Sequence, residues 1–191
     1  MDIYLIRHTK VELENNTCYG QSDVELSNCF EDEVTKLKKK VNFSSEMIFF
    51  TSPLKRCLLL AKNLTKKPPI IDNRLLELNF GDWELKKWDS INQSELDNWS
   101  GNVINYICPN GESYLDLYNR SKEFFNDLIK ENHKEVSIIT HAGVIRSILS
   151  YILRIPLQCS FIIEIDYGKI SKIKLNNIEN LPFYNIEYIN L

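Results

Sequence analysis

Three short runs, "DIYLI", "MIFFT" and "EVSIIT", are almost free of polar side chains, and runs of that length suit strands buried on both faces of a parallel sheet. Each is followed by a stretch with helical spacing. Asn28 reads as an N-cap with Glu31 at N3, and "FEDEVTKLKKKV" then places acids early and lysines late, as the helix dipole favours. Ser52 and Pro53 read as N-cap and first residue of a helix through "LKRCLLLAKNL". Ser113 and Asp116 make a capping-box pair ahead of an apolar stripe at Leu117, Phe124, Phe125, Leu128 and Ile129. "GVIRSILSYIL" predicts a strongly apolar helix, and "SFIIEIDYGKISKIKL" a terminal hairpin turning at Tyr167 and Gly168.

Strands alternating with helices predict an α/β fold: a mainly parallel sheet flanked by helices, with the last hairpin as an antiparallel edge. Residues 81–111 fit that alternation poorly. They hold all three tryptophans, Trp83, Trp88 and Trp99, among many polar residues. Such a segment is either a mostly helical cap or lid over the sheet, or a surface insertion with its aromatics tucked underneath.

At 191 residues, 43% hydrophobic and 26% charged, the chain is expected to be one globular domain spanning 1–191. A net charge of -3 offers no broad electrostatic footprint for nucleic acid. Five cysteines without a C-x-x-C pair or zinc-ligand spacing read as reduced thiols. The start "MDIYLIRH" lacks the features of a signal peptide, and no apolar run approaches the roughly 18 residues of a membrane span, so a cytoplasmic protein without membrane contact is expected.

The candidate chemistry sits where strands end. Ligands of open parallel sheets bind beyond the carboxyl ends of the strands, near helix N-termini. The first strand delivers Arg7 and His8, the second Ser52, Pro53 and then Arg56, and the strand "VSIIT" delivers His141, Ala142 and Gly143. A lone histidine at a strand end is ordinarily a hydrogen-bonded structural residue, and a lone arginine ordinarily pairs with a carboxylate. His133 in "KENHKE" keeps that plain reading. Four cationic or near-cationic side chains at three such junctions point instead to one anion, because their mutual repulsion needs a negative group to offset it. A phosphoryl group suits the planar donors of arginine, and a histidine there supplies a donor or a nucleophile near neutral pH.

Cleaving a phosphate monoester also needs a proton for the leaving oxygen. Glu77 in "LLELNFGDWE" follows an apolar pair and precedes a glycine turn, so partial burial with a raised pKa is expected there; Glu84 and Glu112 are its rivals. Nucleotide P-loop, dinucleotide, cysteine-phosphatase, serine-elbow and H-E-x-x-H patterns are all absent, and three histidines supply a two-metal centre poorly. Histidine chemistry without metal or cofactor remains.

These residues resemble the histidine phosphatase superfamily, its phosphoglycerate-mutase-like branch, over most of the chain. "LIRHT" resembles its Arg-His-Gly signature, "TSPLKRC" its Ser-Pro-x-x-Arg segment, "LLELNFGDWE" its Leu-x-Glu-x-x-x-Gly-x-Trp-Glu segment and "THAGVIR" its second histidine motif, with "PNGES" a partial match to Gly-Gly-Glu-Ser. The resemblance implies the phosphoglycerate-mutase-like fold, with the central insertion as cap. It implies that His8 attacks phosphorus, that Arg7, Arg56 and His141 hold the phosphoryl oxygens, and that Glu77 is acid and then base. Two departures stand out: Thr9 replaces the signature glycine, and Leu85 replaces the usual glycine after Trp-Glu, at the lid's first bend.

Within the superfamily, "CYGQSDVELS" looks most like the α-ribazole phosphatases of cobalamin biosynthesis, which remove a 5'-phosphate from α-ribazole phosphate. By that resemblance Tyr19, Gly20, Gln21 and Ser22, together with the lid, select a small-molecule phosphomonoester. The alternatives are a broad-specificity sugar or phosphoglycerate phosphatase or mutase, and a phosphate-binding interaction module without turnover. The short chain leaves no room for a long extra insertion, which favours a phosphatase over a mutase.

Overall fold

The computed structural model describes residues 1–178 and 181–191. In chain order it contains β1 (Asp2–Arg7), α1 (Phe30–Lys40), β2 (Ile48–Thr51), α2 (Lys55–Leu64), β3 (Ile70–Ile71), α3 (Gln93–Gly101), α4 (Tyr114–Leu128), β4 (Glu135–Thr140), α5 (Ala142–Leu153), β5 (Ile170–Ile178) and β6 (Leu181–Tyr188). The strands form one sheet in the order β3-β2-β4-β1-β5-β6. β1, β2, β3 and β4 pair in parallel, whereas β5 runs antiparallel to β1 and β6 antiparallel to β5. This is the expected mainly parallel sheet with an antiparallel edge.

The period-two alternation of strand side chains divides the core between two faces. Ile3, Leu5, Phe50, Val136 and Ile138 pack with Leu117, Phe124 and Phe125 of α4 and Ile145, Ile148 and Leu149 of α5. Tyr4, Ile6, Phe49 and Ile139 pack on the other face with Val34 and Leu37 of α1 and Leu60, Ala61 and Leu64 of α2. Helices therefore cover both sides, and the three apolar runs are strands buried on both faces except at their ends.

Helix starts follow the sequence only in part. Ser113 caps α4 through a capping box with Asp116, as expected. α1 instead takes Cys29 as its N-cap, not Asn28, because the Phe30 N–H is already drawn back to the Ser27 carbonyl at 3.0 Å. α2 begins at Lys55, with Leu54 and not Ser52 as N-cap. Ser52 continues the strand ladder, its N–H donating to the Ile139 carbonyl at 3.0 Å, while its hydroxyl oxygen accepts from the Leu54 N–H at 3.4 Å.

The hairpin expected to turn at Tyr167 and Gly168 is placed differently. Gly168 does turn, at φ +61°, but Leu157–Ile162 before it form a 3-10 helix, and Ile163 and Ile165 are buried against the α4/α5 core. Their apolar alternation packs a connection, not a strand. The antiparallel hairpin is β5 with β6, paired from Lys172 with Tyr188 to Ile178 with Leu181.

Residues 81–111 hold short 3-10 turns at Gly81–Trp83 and Trp88–Ser90 before α3. Their aromatics build a small core with Cys18 and Cys108, in which Trp83 stacks on Tyr106 and Trp88 on Trp99. The segment leaves and rejoins the body at one crossing: a Cβ on Gly81, whose φ is +55°, would lie 2.0 Å from the Pro109 carbonyl oxygen. Leu85, where the family pattern has glycine, adopts φ +64°. The left-handed bend is thus kept at a cost of roughly 1–2 kcal/mol, with its N–H donating to Cys18 O at 2.8 Å. No helix among the described residues is long and apolar enough to cross a membrane, and all five cysteines are unpaired.

Candidate active site

β1 and β4 lie side by side and in register, with Arg7 opposite Thr140. The ladder carries on for one more residue, His8 N–H to Thr140 O at 3.0 Å, so His8 and His141 leave the sheet at the same level. Their rings meet edge-on with centroids 5.1 Å apart, and both are buried. With Ser52 leaving β2 beside them, the three junctions singled out in the sequence converge on one place.

That place opens into a cavity of about 230 Å³, lined by Arg7, His8, Arg56 and Glu77 together with Tyr19 and Tyr167 and bounded on the apolar side by Phe80, Trp99 and Phe161. Arg7 donates through Nη1 to Ile165 O at 2.6 Å, and its guanidinium carbon lies 3.6 Å from the centre of the Tyr167 ring. Arg56, fully buried, donates to the carbonyls of Ser22 and Gly20. The buried Nε of each arginine has no hydrogen-bond partner among the described residues. Two guanidinium groups with spare donors in one cavity have the chemistry to bind an oxyanion.

The two histidines make different contacts. His8 Nδ1 lies 2.8 Å from the Thr9 carbonyl, which can only accept, so the proton sits on Nδ1 and the Nε2 lone pair is free. Burial, helped by Arg56 and Arg7, holds His8 well below its ordinary pKa, which keeps that lone pair available at neutral pH. His141 is held low by burial, then by Arg56 and His8, and its Nε2 meets Ser52 Oγ at 2.8 Å. Thr9 is not among the residues with positive φ, so the position needs no glycine.

Glu77 sits across the cavity at the start of α5. Gly143 N–H donates to Oε2 at 3.2 Å and Leu78 N–H to Oε1 at 3.0 Å. A Cβ on Gly143 would come within 2.3 Å of Oε1, so the glycine makes room for the carboxyl. Arg120, ion-paired to Glu112 at 2.6 Å, fixes the backbone beneath by donating to the carbonyls of Arg74, Leu76 and Glu77. The two rival acids have structural partners: Glu84 accepts from the N–H groups of Gln21, Ser22 and Phe80, and Glu112 from Asn79 N–H. Neither lines the cavity.

Of the loop residues read as substrate-binding, only Tyr19 lines the cavity, its hydroxyl 2.5 Å from that of Tyr167. Burial, then the neighbouring Tyr167, pushes the Tyr19 phenol up, so it stays protonated. Gly20 and Ser22 serve through their carbonyls on Arg56, and Gln21 Nε2 donates to Glu77 O at 2.9 Å. Sequence reasoning missed Ser52 as a partner of His141, Arg120 as the strut behind Glu77, and Tyr167 as the platform under Arg7. Only Ser52 carried a usable signal, since it stands at a strand end beside the candidate cluster. Among the described residues, no group of three or more His, Cys, Asp or Glu side chains is arranged to hold a metal ion.

Arg7, His8, Arg56 and Glu77 line one small cavity, and His141 stands just behind it, its ring against that of His8 and its Nε2 on Ser52. The profile of the histidine phosphatase superfamily (branch 1) matches residues 3–181, and the chain belongs to that superfamily. It is 23% identical over 184 residues to the adenosylcobalamin/alpha-ribazole phosphatase of Escherichia coli (strain K12), covering 92% of this chain and 91% of the relative. It is 22% identical over 187 residues to phosphoserine phosphatase 1 of Hydrogenobacter thermophilus, with 94% and 89% covered. The crystal structure of the alpha-ribazole phosphatase from Shigella flexneri superposes with a TM-score of 0.90 at 22% identity, covering 100% of this chain and 96% of that one, which establishes the phosphoglycerate-mutase-like fold.

Proposed function

We propose that the protein is a metal-independent phosphomonoesterase that hydrolyses a small phosphorylated metabolite through a phosphohistidine on His8. The observation that carries this reading is the Nδ1 contact of His8 with the Thr9 carbonyl, which leaves Nε2 unprotonated in a cavity flanked by Arg7 and Arg56. The Nε2 lone pair attacks phosphorus while the bond to the ester oxygen breaks, and Glu77 gives its proton to the departing oxygen. A water oxygen then attacks phosphorus, the P–N bond breaks with its electrons returning to Nε2, and Glu77 takes the water's proton. Arg7, Arg56 and His141 hold the equatorial oxygens as their charge grows, in a buried setting where such contacts are strong.

Residues 81–111 serve as the cap in this reading, with Trp99 and Val103 reaching the cavity from above. α-Ribazole 5'-phosphate enters as a candidate substrate on two grounds. The loop "CYGQSDVELS" resembles that subfamily, and the cavity's aromatic wall of Tyr19, Phe80, Trp99 and Phe161 suits a flat leaving group. A sugar or phosphoglycerate ester is the alternative. Unpaired cysteines suit a reducing cytoplasm as the place of action.

Hydrolysis of p-nitrophenyl phosphate in excess EDTA, abolished by His8→Ala, is the expected result. Activity that needs added metal, or survives in His8→Ala, overturns the mechanism. Phosphate binding without turnover of any monoester makes the protein a binding module instead.

A further inference from the structure

The cavity holds a third arginine that the phosphoryl chemistry leaves unused. Arg146 lies on α5 one turn after Gly143 and lines the same cavity. Its Nε donates to the Ile163 carbonyl at 2.9 Å, which fixes the plane of the guanidinium, yet among the described residues neither Nη has a protein partner and no carboxylate is paired with it. Arg146 is anchored on the Ile163 carbonyl, whereas Arg7 is anchored on that of Ile165 and Arg56 on those of Ser22 and Gly20, so the three guanidinium groups are held at different points of the cavity wall. Tyr114 and Phe161, whose rings lie 4.8 Å apart, line the same cavity.

A bound phosphomonoester dianion balances Arg7 and Arg56. In the acid role Glu77 brings the proton that it gives to the leaving oxygen. Arg146 then remains as one unmatched positive charge beside aromatic walls, where an unpaired charge is costly.

From this geometry we infer that Arg146 binds a carboxylate, or an equivalent second anion, on the leaving group, so that the substrate class is a phosphorylated hydroxy or amino acid. The inference rests on the phosphomonoesterase reading and narrows it, since a neutral leaving group such as α-ribazole would leave Arg146 unmatched. Two free Nη groups offer the paired donors that carboxylates take side-on.

The test compares O-phosphoserine with its neutral carboxamide, which differs only in the anion, using p-nitrophenyl phosphate as a control for turnover. The expected kcat/KM ratio of acid to amide is on the order of 10- to 100-fold in the wild type, the range for a charge-assisted pair. Arg146→Gln should bring the ratio close to one, and Arg146→Lys, which keeps a point charge but loses the fork, should give an intermediate ratio while guarding against a folding defect. A wild-type ratio near one with p-nitrophenyl phosphate turned over, or a ratio unchanged in both variants, overturns the inference alone. No turnover of any of the three esters removes the phosphomonoesterase reading and the inference with it.

Discussion

Replacing Gly143 by alanine tests the acid directly without touching its chemistry. The added Cβ would stand 2.3 Å from Glu77 Oε1, 2.8 Å from Leu117 Cδ2 and 3.3 Å from Glu77 Cδ. Leu117 is fully buried in the α4/α5 core, so the carboxyl is the part that yields. Restoring ordinary van der Waals contact at about 3.4 Å moves it by roughly 1 Å, and a misplacement of that size costs roughly 100-fold in rate. Stability should change little, because alanine is up to about 1 kcal/mol better than glycine in a helix and offsets part of the crowding. The assay is kcat for an alkyl phosphate and for p-nitrophenyl phosphate, with thermal melting as the control for folding. A fall of roughly 100-fold for the alkyl ester and a much smaller one for the aryl ester is expected, since nitrophenolate departs with little protonation. Glu77→Gln should show the same selectivity. Equal losses for the two esters would mean that the phosphoryl pocket was disturbed instead, and an unchanged alkyl rate would remove Glu77 from the acid role.

Because burial holds both His8 and His141 below their ordinary value, the unfolded chain binds more protons than the native one once pH drops below about 6.5. Urea midpoints should therefore fall from pH 7.5 to 5.5, with a shallower fall in His8→Asn and His141→Asn; a midpoint that rises on acidification contradicts the assignment. Tyr167→Ala removes the ring beneath Arg7 and should lower kcat/KM roughly 3- to 30-fold, as expected for a partly desolvated cation–π contact, with Tyr167→Phe recovering most of it; equal losses in both would locate the effect in the hydroxyl pair with Tyr19. Ser113→Ala breaks the α4 capping box and should cost about 1 kcal/mol, or about 2–4 °C in Tm; an unchanged melting curve would show that packing alone holds that helix start.

Much of this molecule is legible along its chain because burial on both sheet faces writes itself as uninterrupted apolar runs. Arg7, His8 and His141 stand out for the same reason: polar residues that end such runs emerge at the carboxyl end of the sheet. The apolar pair and glycine turn around Glu77 favoured it over Glu84 and Glu112, but the sequence did not show that those two are taken up by the loop N–H groups of Gln21, Ser22 and Asn79. The turn at Tyr167 and Gly168 was a correct local signal attached to the wrong partner, because turn residues do not reveal whether the preceding chain pairs or packs. β6 escaped notice, as its proline and the asparagines before it suit an edge strand and mimic a loop. Leu85 shows a different limit: the bend usually given to glycine persists with a side chain whose strain only coordinates reveal.

Rapid quenching of the protein with a 32P-labelled phosphomonoester, followed by peptide mapping, asks whether the phosphoryl group passes through the imidazole at the end of β1. An acid-labile, alkali-stable label on Nε2 of His8, formed within one turnover and prolonged in Glu77→Gln with an aryl ester, is the predicted result. Turnover without a labelled protein, or a label on His141 or another residue, would contradict it.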